Sequence, residues 1–247
     1  MDYRTTDEGG QLAHERAKVS TLKINQQTGA ISGQGPGWIR SVRLSSGGDS
    51  LGALSPGSAD EPAAAEPGLR FLRVNFQRGL TGNLHERSVR FHERVRAVYG
   101  PVLAWDHTLP VESPTGVPPD AVELACDELR VHEDPASRFV GGQADRSLGA
   151  VEIRALGRVR IEGAQGDEGG SFTAEATAAS YTQLKEVFVL EGDSTRNATL
   201  WLRQTASQEP ARSVARKISY NRLTGRVKAE DIRGFDYQAT PQPPTRR

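Results

Sequence analysis

The sequence predicts an all-β protein of short antiparallel strands with little helix. Three observations lead there: apolar residues fall at alternate positions through most of the chain, turn-forming residues recur between those runs, and pieces of the strand pattern repeat. The 26 Gly and 14 Pro among 247 residues supply the turns, and a hydrophobic share of 36% suffices for a core.

Taken in order, Leu22 to Ile31 reads as a strand, a turn at Thr28-Gly29 and a return strand. Leu72, Val74 and Phe76 mark the next strand. Val89 and Phe91, then Val95 and Ala97, mark another, followed by Val122, Leu124 and Cys126. From Val151 the alternation holds on both sides of Gly157, which predicts a strand pair with a bulge or bend at that glycine. Phe172, Ala174 and Ala176 come next. Val187 to Leu190 is continuously apolar, as in a strand covered on both faces. Ala198, Leu200 and Leu202 alternate with Thr199, Trp201 and Arg203, which turns the leucines inward. Only Leu12 to Val19 and Pro62 to Glu66 carry a weak helical pattern. Ser45 to Gly68 and Pro110 to Pro119 read as linkers, and Gly163 to Gly170 as a long loop.

The repeats organise the chain. Residues 22 to 31 match residues 218 to 227, laying Asn25, Thr28 and Gly29 over Asn221, Thr224 and Gly225 at a constant offset of 196. Val89 to Gly100 resembles Val151 to Gly163, and Leu124 to Asp127 resembles Phe172 to Glu175. The expected division is an N-terminal segment (1–44) holding the tail of a partial β module, a linker (45–68), a middle module (69–134) with a proline-rich insertion, a last module (149–237) and a disordered tail (238–247). A first module lacking its opening strands suggests a piece of something longer, with an unpaired edge open to self-association.

Composition excludes several functions. Lys plus Arg equals Asp plus Glu at 31 each, so no whole-chain field attracts nucleic acid or an acidic membrane. Met1 to Glu8 lacks a basic segment leading into an apolar run, so no secretion leader is expected there. The one cysteine, Cys126, forms no internal disulfide and reads as a buried inert thiol beside Val122 and Leu124. His14, His85 and His92 each open a His-Glu-Arg triplet, and with His107 and His132 they read as solvated turn or strand-face residues. No spacing suits a metal or a cofactor, and Asp127 with Glu128 point to opposite faces, which argues against paired carboxylates. Gly33 to Gly37 is a turn, not a phosphate cradle, because no helix follows it.

The run from Ala179 to Asp193, then Ala198-Thr199-Leu200, Ala215 to Asn221 and Gly225-Arg226-Val227, resembles the OstA-like family. It is clearest over 171 to 229. That resemblance implies a β-jellyroll of two facing antiparallel sheets, no catalysis, and a periplasmic protein of the LptA type that passes lipopolysaccharide-like glycolipid toward the outer membrane. It further implies an acyl groove, for which Phe172, Ala174, Val187, Val189, Leu200, Leu202, Ile218 and Tyr220 are the candidates, and partner modules joined through edge strands. Arg154, Arg158 and Arg160, with Arg87, Arg90, Arg94 and Arg96, form arginine-rich strands that suit phosphate of a lipid head group or, less well for want of interleaved aromatics, nucleic acid, against a plain solvated face; the first three are the head-group candidates. The rival reading is a β scaffold with a filled core that binds other proteins through exposed strand edges.

Overall fold

A computed structural model describes residues 2–7, 10–45, 68–112, 116–133, 151–164, 170–182, 187–203, 205–221 and 226–236. They form β1 (Asp2–Asp7), β2 (Gly10–Lys18), β3 (Thr21–Ile24), β4 (Ala30–Gln34), β5 (Gly37–Ser45), β6 (Gly68–Phe76), β7 (Gly79–Asn83) and β8 (Ser88–Val102). β9 (Val122–Glu133), β10 (Val151–Ala164), β11 (Ser171–Thr182), β12 (Val187–Glu191), β13 (Ala198–Arg203), β14 (Ala211–Asn221) and β15 (Arg226–Asp236) follow. Among the described residues there is no helix, so the protein is all-β, with more strands than the alternation alone suggested. The segment from Leu12 that carried a weak helical pattern lies in β2, where pairing with β1 and β5 overrides local preference. The segment 62 to 66, the Gly225 turn and the tail 238–247 lie outside the described residues.

All fifteen strands belong to one antiparallel, jellyroll-like sheet. Its plan becomes simple once interrupted strands are joined. β12 and β13 both pair β11 and β14, in registers that make them two halves of a single line broken at 192–197. β6 and β7 likewise share β8, broken at Gln77-Arg78, and β4 and β5 lie end to end across Gly35-Pro36. Every line then pairs only with the line before and the line after it in sequence.

The unbroken lines are creased at the same level. β8 shifts register between His92 and Val95, where Glu93 and Arg94 have positive φ. β10 shifts between Leu156 and Arg160, at the positive-φ pair Gly157 and Arg158. Gly157 is where the sequence predicted a bend; a Cβ there would lie 2.5 Å from Asp127 Oδ2, so a residue without one is required. Asp127 in turn accepts three hydrogen bonds from the Arg158 guanidinium, two from Nε at 3.1 Å and one from Nη2 at 2.6 Å.

The crease folds the sheet over on itself. Phe172 and Tyr181 are nine residues apart on β11, about 30 Å if extended. Yet Leu202, opposite Phe172, and Phe188, opposite Tyr181, line one common cavity. One half therefore holds β5, β6 and β13 with one end of each long strand, and the other holds β3, β4, β7 and β12 with the other end. Their inner faces share a core that includes Phe76, Phe91, Val95, Ile161, Leu200 and Ile218. The two sheets expected to face each other are thus two halves of one.

A second core lies outside the fold. Val42, Phe71, Val98 and Val102 are covered by Leu109, Ala121, Trp105, Val111 and Val117. The stretch from Pro110 to Pro119, expected to be a linker, is in its described parts a strap across this outer face: its prolines disfavour strand pairing, and Val111 and Val117 pack half-buried against the sheet between the buried Leu109 and Ala121.

The repeat at offset 196 survives as pairing. Ile24 opposes Ile31 and Leu22 opposes Gly33 in the first copy; Tyr220 opposes Val227 and Ile218 opposes Ala229 in the second. In the first turn Asn25 Oδ1 accepts the amides of Gln27 and Thr28, and Gly29 takes φ 71°.

Candidate functional site

An apolar cavity of about 30 Å³ sits between the two halves near their C-terminal strands. Ile161, Phe172, Ala174, Leu200 and Leu202 line it from one side, and Phe188, Leu190 and Tyr220 from the other. Its size matches about one water, but its walls are mostly apolar side chains, which suit such a guest poorly. Ala174, Leu190 and Leu200 are buried, whereas Phe188, Leu202 and Tyr220 are half-buried and lead outward. Phe188 stacks on Tyr181 at 4.4 Å between ring centres, which fixes one wall.

Of the groove candidates, Phe172, Ala174, Leu200, Leu202 and Tyr220 line this cavity. Ile218 is buried in the surrounding core. Val187 and Val189 are placed elsewhere: they oppose Asn221 and Ser219, and alternation puts them on the face away from Phe188 and Leu190. A continuous apolar run carries no phase, so the sequence alone did not tell which alternate pair faced inward. The partners would have told: Phe188 stands between Tyr181 and Tyr220. Ile161, although part of an alternating run, was also missed.

The arginine candidates occupy three different settings. Arg158 is at the crease, bound to Asp127, whose hydrogen bonds and charge push the guanidinium pKa up. Arg160 lies on the outer face, paired with Glu162 and with Glu175 at 3.3 Å. Arg154, exposed, lies on the outer face of the other half, opposite Arg130 and Ser180. No rim of the cavity gathers them.

The histidines are dispersed. His14 is buried rather than solvated, at 6% exposure, because β1 closes over it and Asp2 Oδ1 lies 2.9 Å from its Nε2. His92 contacts Thr81 and Glu128, and His132 contacts Glu152. Among the described residues no group of three or more His, Cys, Asp and Glu is placed to hold a metal. Burial pushes the Cys126 thiol up to about 12, so at neutral pH it is protonated. Among the described residues no helix is long and apolar enough to cross a membrane.

No protein-family model matches the chain, and no curated protein matches it in sequence. Solved structures do. The chain is similar to LptH. LptH is the LptA-homologous periplasmic component of the lipopolysaccharide transport device of Pseudomonas aeruginosa. The alignment covers 71% of this chain and 90% of LptH, with a TM-score of 0.42 and 12% identity.

Proposed function

We propose that the chain is a non-catalytic carrier that holds the acyl part of an amphipathic, lipopolysaccharide-like glycolipid between its two halves, in a periplasmic setting, alongside other modules of its kind joined through edge strands. The observation that carries this reading is the all-apolar seam around Phe172, Leu200, Leu202 and Phe188. The sequence resemblance over 171 to 229 agrees with it. Each acyl CH₂ taken from water into such a seam contributes about 0.8 kcal/mol. Loading requires the halves to part, since the cavity itself holds only about 30 Å³. Parting separates side-chain contacts while leaving the ladder hydrogen bonds within each half intact.

The same small volume favours the rival, a filled scaffold, and one substitution separates them. Leu200 is 5% exposed. In a permanently packed core Leu200→Arg buries an unpaired charge, costs several kcal/mol and unfolds the protein. In a seam that opens, the guanidinium reaches water along its stem, the fold survives, and a photo-crosslinkable glycolipid is captured less well than by the parent. Thermal unfolding and capture are measured together. A folded variant that captures lipid as efficiently as the parent refutes the carrier reading for this seam.

A further inference from the structure

On the outer face of the half that contains β7, three arginines from adjacent strands stand directly opposite one another. Arg90 on β8 opposes Arg130 on β9, and Arg130 opposes Arg154 on β10. Thr81 continues the row beyond Arg90 and Ser180 beyond Arg154, so the line reads hydroxyl, three guanidiniums, hydroxyl. Like charges directly opposite across a ladder repel, and a sheet does not place three in register without compensation.

The chain supplies little of it. Glu128 contacts Arg130 and lies 3.6 Å from Arg90, while its other oxygen is 3.5 Å from His92. Glu152 is held by His132 at 3.1 Å, and Glu133 by Arg87 at 2.6 Å. Arg154 makes no ion pair among the described residues. Arg90 and Arg130 keep 46% and 41% of their side-chain surface in solvent. Beside them is a recess of about 620 Å³, lined by Thr81, Ser88, Arg90, Arg130 and His132 and also by the carboxylates Glu86 and Glu133.

We propose that this face is a binding site for an elongated phosphorylated anion, gripped by Arg90, Arg130 and Arg154 together. Strands lie about 4.8 Å apart, so the outer two arginines stand about 10 Å from each other across the row. A lone phosphate meets one or two guanidinium forks; a diphosphate reaches all three, with each fork offering paired N–H donors to phosphate oxygens. The same chemistry serves a free diphosphate ester and a phosphorylated lipid head group. The site lies outside the fold and stands or falls independently of the inter-sheet seam.

The test is calorimetric titration of the whole chain with inorganic pyrophosphate at low ionic strength, where charge screening is weakest. Arg130→Gln, which removes the middle of the row, is expected to weaken binding at least tenfold. Arg43→Gln removes one positive charge from β5 in the other half, from an arginine already paired with Glu15, and is expected to leave binding unchanged. Pyrophosphate should raise the melting temperature of the parent and not of Arg130→Gln. Flotation with phosphatidylglycerol and phosphatidylcholine vesicles tells the sources apart: Arg130-dependent capture on phosphatidylglycerol alone, competed by pyrophosphate, assigns a lipid head group, and pyrophosphate binding without capture assigns a soluble ester. Equal loss in both arginine variants, no loss in Arg130→Gln, or no binding to either probe overturns the proposal.

Discussion

The molecule carries two rows of three opposed arginines, and they have opposite fates. In the first, Arg16, Arg40 and Arg73 face one another across β2, β5 and β6 on the strap-covered half. Each guanidinium there has a partner, although Arg40 Nε is buried without a hydrogen bond. Asp2 takes Arg16 at 3.1 Å, the carbonyls of Trp105 and His107 each take Arg40 Nη2 at 3.0 Å, and Arg73 lies 5.1 Å over the Trp38 ring. Arg40 also sits 5.5 Å over Phe71 and is only 7% exposed, and burial lowers its pKa. In the second row, Arg90, Arg130 and Arg154 are uncovered; the first two share Glu128, and Arg154 makes no ion pair among the described residues. A guanidinium row is a structural device where loop carbonyls and rings are brought to it, and a receptive surface where they are not.

Three substitutions break or sharpen that contrast. The largest effect is expected from Arg40→Ala, which strands two strap carbonyls and leaves a void over Phe71; thermal and denaturant unfolding should show a loss of about 2 to 4 kcal/mol. Next comes the strap itself. A Cβ on Gly100 would meet Ala121 Cβ at 2.8 Å and Leu109 Cδ1 at 2.9 Å. Gly100→Ala should cost about 1 to 3 kcal/mol by overpacking and speed proteolysis within 103 to 121, whereas unchanged cleavage would mean the strap does not depend on close contact with β8. The smallest effect is expected in the open row. Without a ligand, Arg130→Gln should change stability by no more than about 0.5 kcal/mol, in the stabilising direction, because it relieves repulsion between exposed charges. A loss as large as that of Arg40→Ala would show the two rows to be alike.

Much of the fold was legible because strand alternation and turns are local. Leu200 and Leu202 inward with Trp201 outward, the bend at Gly157, and the hairpin shared by Asn25 and Asn221 are all written within a few residues of one another. What was not legible depends on register between distant segments. Neither arginine row exists in the sequence: Arg90, Arg130 and Arg154 become neighbours only once three strands are aligned. The phase of Val187 to Leu190 needed the tyrosines of two other strands, and the strap was hidden by prolines that read as a linker. His14 looked like any exposed polar residue until Asp2 came to lie beside it.

The sequential order of the strand lines has a kinetic consequence. Since every line neighbours only the lines before and after it, almost every pairing closes by the shortest route the chain allows, and the entropy of joining remote segments is spent at few places. Folding can start at any hairpin and zip outward in both directions, as in a repeat protein and unlike a Greek key, whose first and last strands must wait for each other. Apart from β8 with β9, whose connection 103–121 carries the strap, the closures that span a long stretch are β5 with β6, across residues 46–67, and β9 with β10, across 134–150. Shortening those two connections should accelerate refolding, and shortening a tight turn such as Asn25 to Gly29 should not.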